Sequence, residues 1–185
     1  MMEEIDHHYL LSLGFNHAKV SDPEKVLRQL RSANKVQVQL LKAGLVGGPE
    51  HLRFAARNAL HSFRSKSPRS KSLAMEYLLY LSCQRQISKA IGLLGVGPTD
   101  HKVVLVALSE SREALEDLEK ATRSLLGDPD DGLVEIGSKR KLAEIQRSYG
   151  VSKREMEAAR FEGETDEHVL KRLIVERSAL LDLED

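Results

Sequence analysis

The spacing of apolar and polar positions switches between two periods along this chain. His8 to Phe15 (HYLLSLGF) is dense in strand-forming residues and predicts a first strand. At Ser21-Asp22-Pro23-Glu24 a capping residue, a proline and an acid mark a helix start, and Val26, Leu27 and Leu30 follow at helical spacing. Lys35 to Leu40 (KVQVQL) alternates strictly, the signature of a half-buried strand. After a turn at 44–49 (GLVGGP), Leu52, Ala55, Ala56, Ala59, Leu60 and Phe63 share one side of a helix over 49–64. A second helix spans about 72–81. A third covers 86–94 and closes at Gly95, read as a left-handed cap. Lys102 to Leu108 is an almost continuous apolar run and predicts a buried strand, followed by a long amphipathic helix over 110–126. Strong turn residues at 127–132 precede a short strand expected at Leu133–Ile136. Helices are then predicted over 138–149, from Ser152, and after Thr165, where Asp166 and Glu167 suit the helix dipole. The apolar positions of that last helix are Val169, Leu170, Leu173, Ile174, Leu180 and Leu181.

One stretch breaks the pattern. In LYLSCQRQISKAIGLLGV (79–96) two apolar runs flank a polar knot, Ser82-Cys83-Gln84-Arg85-Gln86.

Composition narrows the class. The 185 residues are 41% hydrophobic and 30% charged, enough for a sizeable core and too apolar for wholesale disorder. Aromatics are only 4% and Trp is absent, which argues against a broad stacking surface for nucleic acid. The single cysteine, Cys83, excludes an intrachain disulfide and points to a reducing compartment. No apolar run reaches the roughly 18 residues of a membrane span, and the acidic start MMEEIDHHYLLSLGF lacks the order of a signal peptide, so a cytoplasmic protein is expected.

The zero formal net charge conceals an asymmetry. Between Arg53 and Ala90 stand Arg53, Arg57, Arg64, Lys66, Arg69, Lys71, Arg85 and Lys89 against one acid, Glu76. From Glu155 onward ten acids face four bases. Either the two regions meet different partners or they neutralise each other in the fold.

Candidate chemistry is sparse. His7 and His8 would point to opposite faces of a strand, and His51 and His61 lie apart on one helix, so no metal site is expected. The glycine-bearing segments lack the Gly-Lys-Ser/Thr of a phosphate loop, and Pro98 removes a backbone donor after Gly97. Cys83 reads as a packed small hydrophobe, with Arg85 close enough in sequence to lower its pKa. No catalytic residue and no cofactor is expected. What remains is the basic region. If the helices around the connector 65–72 pack antiparallel, Arg53, Arg57 and Asn58 run toward the knot. Arginine forks, amides and a hydroxyl are groups that grip phosphates and single-stranded RNA. A solvated basic face, with Ser82 and Gln86 as helix caps, is the competing reading.

The residues from Leu52 to Leu108 resemble a known family. Phe54-Ala55-Ala56-Arg57-Asn58-Ala59-Leu60, Arg69-Ser70-Lys71-Ser72-Leu73, Glu76-Tyr77-Leu78-Leu79-Tyr80-Leu81-Ser82 and Arg85-Gln86-Ile87-Ser88-Lys89-Ala90-Ile91 are similar to the kinase-binding subunits of the KEOPS complex (the TPRKB/Cgi family). Ser-x-x-Arg-Gln-Ile-x-x-Ala-Ile is the most specific piece and resembles prokaryotic-type members best. The C-terminal half is also similar, at Ile145 to Val151 and at Glu176 to Leu183. The first thirty residues match only in pattern. Cys83 stands where a small residue, often Gly, is expected, which puts the shape of that loop in question.

The resemblance implies a non-catalytic subunit. It would dock on the small atypical protein kinase of the complex and, through it, join the threonylcarbamoyl transferase subunit. It would also recruit transfer RNA by its CCA-bearing acceptor end for threonylcarbamoyladenosine modification. On this reading Arg85, Gln86 and Ser82 face the single-stranded tail, Lys66, Arg69, Lys71, Arg64 and Lys89 face its phosphates, and Arg57 and Asn58 lie alongside. The kinase is expected on Val169, Leu173, Ile174, Leu180 and Leu181. No membrane and no DNA partner is expected. The expected fold is α+β in a single domain over 1–185, a small central, largely antiparallel β-sheet flanked by several α-helices, with a basic helical middle at about 49–95 and an acidic helical part at about 138–185. The rival readings are a structural scaffold without RNA contact and a small nucleotide-processing enzyme.

Overall fold

The computed structural model describes residues 1–34 and 36–181. Its elements in chain order are β1 (Met2–Ile5), β2 (His8–Phe15), α1 (Pro23–Asn34), β3 (Gln37–Lys42), α2 (Pro49–Arg64), α3 (Leu73–Ser82), α4 (Ile87–Leu94), β4 (Val103–Ser109), α5 (Arg112–Leu126), α6 (Lys139–Ser148), α7 (Lys153–Ala158) and α8 (Asp166–Leu180). The four strands form one antiparallel sheet in the order β1-β2-β4-β3. This is the expected α+β architecture. The strand predicted over Lys35–Leu40 began at a residue that lies outside the described residues; as β3 it runs two residues beyond its predicted end.

Both faces of the sheet are covered, which explains why β4 reads as an unbroken apolar run. Its odd positions Val103, Leu105 and Ala107 pack with Leu11, Leu13 and Phe15 of β2 and with Leu30, Leu115 and Leu118 from α1 and α5. Its even positions Val104, Val106 and Leu108 pack against α2, α3 and α4. A third cluster joins α6, α7 and α8 around Ile145, Met156, Val169, Leu170 and Ile174.

Three local readings are corrected. Strand β1 has no clear apolar signal. It exists because Asp6 and His7 both adopt left-handed backbone (φ 49° and 66°), the geometry of a two-residue hairpin turn; His7 therefore sits in a turn, not on a strand face. Gly95 is extended (φ −64°, ψ 138°), not a left-handed cap. It bridges Leu41, and a Cβ there would lie 2.5 Å from the carbonyl oxygen of Ile91, so glycine is required for close approach. The segment expected as a strand at Leu133–Ile136 follows a 3-10 turn at Asp131–Leu133 and pairs with no strand, although Val134 and Ile136 are buried.

Helices α2 and α3 do pack antiparallel. The first turn of α2 meets the end of α3 where His51 Nε2 lies 2.8 Å from the carbonyl oxygen of Leu81. Helix α8 lies against both: Asn58 of α2 donates to Ser178 Oγ at 3.4 Å, and the Cys83 thiol donates to the Ile174 carbonyl at 3.5 Å. Gly48, which precedes α2, has φ 103° and faces Lys171, whose Cε would lie 2.8 Å from an added Cβ.

Candidate partner-binding surfaces

The basic middle divides into residues spent inside the fold and residues left on its surface. The connector 65–72 wraps around Glu76, the one acid of the region. Its fully buried carboxylate accepts from Ser62 Oγ at 2.9 Å, from the backbone of Arg69 at 3.2 Å and from that of Ser70 at 2.8 Å. Arg69 is also spent internally, donating to Tyr80 Oη at 3.3 Å and to the Leu181 carbonyl at 2.7 Å. Ser82 is fully buried and its hydroxyl donates to the Leu79 carbonyl at 3.1 Å. These contacts tie Ser82 and Arg69 into the fold, as the bond to Ser178 ties Asn58 to α8. Arg53 pairs with Glu3 at 2.7 Å and Arg64 with Asp6 at 3.6 Å, so the N-terminal hairpin neutralises two of the bases.

The acidic C-terminal part makes ion pairs within itself. Arg177 meets Glu155, Arg172 meets Glu164 at 2.7 Å, and Lys171 meets Glu167 at 2.8 Å. The basic middle and the acidic tail therefore each have local partners.

The surface bases fall into two groups at opposite ends of α3, about 15 Å apart for a ten-residue helix. Because α3 is buried along nearly its whole length, no exposed track on that helix joins them. Lys66, Lys71 and Arg64 are exposed at its start; Arg85, Gln86 and Lys89 are exposed at its end. Arg57 is exposed on the outer flank of α2.

The knot at the end of α3 is a Schellman turn. The Gln84 amide donates to the Leu79 carbonyl and the Cys83 amide to the Tyr80 carbonyl, both at 3.1 Å, with Cys83 left-handed at φ 52°. Gln86 then takes the N-cap position of α4 without using its side chain as a cap. Its amide stays on the surface, against the capping role that a polar residue there suggests. Burial, opposed by Arg177, pushes the Cys83 thiol up to about 12, the reverse of the lowering that a nearby arginine suggested.

Next to Arg85, Gln86 and Lys89, α4 exposes two large aliphatic side chains, Ile87 (41%) and Ile91 (47%). In the sequence they stood only as part of the apolar run that follows the knot. Ala90 and Leu94, each three residues further on, are fully buried, so the two isoleucines stand at the edge of the same apolar stripe, and their spacing carried no signal of exposure. A cavity of about 150 Å³ behind the knot is lined by Ser82, Cys83, Gln84, Tyr149, Arg177, Leu180 and Leu181.

The five residues expected at the kinase divide as well. Val169, Ile174 and Leu181 are buried in the core, and Leu173 is half-buried; only Leu180 is exposed (39%). Phe54, on the neighbouring helix α2, is exposed to the same extent (39%) and was not among the residues expected at the kinase.

No group of three or more His, Cys, Asp or Glu side chains is arranged to hold a metal ion among the described residues, and none of their helices is long and apolar enough to cross a membrane. His51 instead serves the fold, fully buried between Gly47 and Leu81.

An α+β scaffold that exposes Arg85 and Gln86 together with aliphatic side chains on α4 and α8 has the makings of a binding protein. The family model for kinase binding protein CGI-121 matches residues 17–182, and the chain belongs to that family of kinase-binding proteins. A search of curated proteins finds no match.

Proposed function

We propose that this chain is a non-catalytic subunit of a KEOPS-type assembly, one that docks on and supports the small atypical kinase and presents the CCA-bearing acceptor end of transfer RNA for threonylcarbamoyladenosine modification. Membership in a kinase-binding family supports the first half. The observation that carries the second is the α3–α4 turn, where Arg85, Gln86 and Lys89 are exposed beside Ile87 and Ile91. A guanidinium and an amide match the donors and acceptors of unpaired bases, Lys89 matches phosphate, and the isoleucines offer an apolar surface to base faces. Arg64, Lys66 and Lys71, at the far end of α3, would meet only a more distant part of the RNA backbone.

The kinase is placed on the outer flank of α8 and the adjoining α2, where Leu180 and Phe54 are exposed and Leu173 is half-buried. The core residues Val169, Ile174 and Leu181 act there only by supporting the helix.

The test is a gel or filter assay with transfer RNA carrying or lacking its terminal CCA. Arg85→Glu should abolish CCA-dependent binding and leave capture of the kinase intact. Unchanged RNA affinity would leave a kinase-binding scaffold and dismiss the RNA half of the reading.

A further inference from the structure

The last carbonyls of a helix have no partner inside it and must find one elsewhere. In α3 the Schellman turn satisfies Leu79 and Tyr80, and the Leu81 carbonyl stands next in line, one residue before the knot begins. Two side chains from distant parts of the chain fill it. His51 Nε2 lies 2.8 Å away, and Tyr149 Oη donates from 3.0 Å. The second ring nitrogen of His51, Nδ1, accepts the Gly47 amide at 3.2 Å, so the hydrogen sits on Nε2 and points at Leu81. Tyr149 lies just past the end of α6, and its hydroxyl is shared with the Leu45 carbonyl at 3.2 Å. The two rings meet edge to face, centroids 5.5 Å apart at 76°, so each restrains the other. Two segments therefore converge on one peptide, the start of α2 and the end of α6, and the Tyr149 hydroxyl ties the 3-10 turn at Ala43–Leu45 to the same point.

We propose that Tyr149, with His51, is a positioning residue for the α3–α4 turn. It fixes the peptide from which Cys83 turns left-handed, and so sets the direction in which Arg85 and Gln86 leave the body of the protein. Neither ring reaches the surface to touch RNA itself: His51 is fully buried and Tyr149 is 6% exposed. The inference rests on the reading of Arg85 and Gln86 as RNA contacts, and it makes the end of α6 part of that site.

The test uses the full chain and Tyr149→Phe, which removes the hydroxyl and keeps the ring. Three quantities are measured well below the melting temperature: amide hydrogen exchange of the 79–90 segment, affinity for an oligonucleotide ending in CCA, and capture of the kinase. The expected result is faster exchange confined to 82–86, about three- to tenfold weaker RNA binding, the scale of one lost hydrogen bond, and unchanged kinase capture. Arg85→Glu is measured in parallel. If Arg85→Glu weakens RNA binding and Tyr149→Phe does not, the positioning role is overturned while the RNA reading stands. If Arg85→Glu has no effect, the RNA reading falls, and unchanged exchange at 82–86 in Tyr149→Phe would overturn the hold on the turn independently. Faster exchange spread evenly over the chain would mark Tyr149 as a general packing residue and also overturn the proposal.

Discussion

The carboxylate of Glu76 accepts the backbone amide of Ser70 at 2.8 Å, in a region where every other charged residue from Arg53 to Lys89 is basic. The lone acid organises the basic connector from inside. Its Oε1 takes the Arg69 amide and the Ser62 hydroxyl while Oε2 takes Ser70. Glu76→Ala leaves a buried amide and a part-buried one without an acceptor, and should cost about 3 kcal/mol. Glu76→Gln keeps one acceptor oxygen and should cost about 1 kcal/mol. Urea unfolding of the two variants checks the ranking; equal stability in both would mean that the carboxylate does not hold the connector.

His51 makes stability pH-dependent. Burial lowers its pKa from 6.5 to about 4, with the Leu81 carbonyl opposing part of the shift. In the unfolded chain the imidazole protonates near 6.5, and in the folded chain only near 4. Between those values the unfolded state binds more protons, so stability is full above pH 6.5 and falls as the pH drops toward 4. The loss amounts to about 3 kcal/mol at one shift unit per 1.36 kcal/mol. Denaturation at pH 7 and pH 5 should show a decline that is absent in His51→Gln; an identical decline in the variant would assign it to other groups.

Cys83 is predicted to resist alkylation. With its thiol pushed up to about 12, almost no thiolate exists near pH 7.5. Iodoacetamide should label the native chain far more slowly than the urea-unfolded chain. The left-handed backbone adds a second expectation: Cys83→Gly should be about 1 kcal/mol more stable than Cys83→Ala, since only glycine adopts φ near 52° without steric cost. Chemical denaturation of the pair measures it, and the opposite order would refute it.

Substitutions on α8 should separate interface from core. Leu180→Asp should weaken kinase capture at least tenfold with little change in melting temperature, because its side chain is exposed. Ile174→Ala should cost about 2–5 kcal/mol of stability through a core cavity. Retained kinase binding in Leu180→Asp would move the docking surface elsewhere.

The fold was legible in the sequence wherever both sides of an element are occupied by local pattern. The unbroken apolar run of β4 announced a strand covered on both faces, and Ser138, Ser152 and Thr165 each announced a helix start that their side chains do cap. What could not be read were long-range assignments of polar groups. Arg69 looked like a surface base, but its partner Leu181 lies 112 positions away. Ser82 was ambiguous because a hydroxyl can return to its own helix as easily as face a ligand. The spacing of Val169 and Ile174 defined an apolar face without saying that the rest of the chain covers it. Ile87 and Ile91 show the converse: apolar residues, spaced as a core would be, that stay more than two-fifths exposed among the described residues.

The strand pairing also dictates a schedule. Phe15 pairs with Val103, so β2 lacks one neighbour until β4 has been made, and β3 waits for the same strand. During synthesis the N-terminal hairpin, α1 and the basic helices all emerge before the sheet can close. Such non-local closure is slow, on the order of milliseconds to seconds. Refolding from urea should accordingly be rate-limited by docking of β4, and Leu105→Ala should slow folding more than the same change at Leu170.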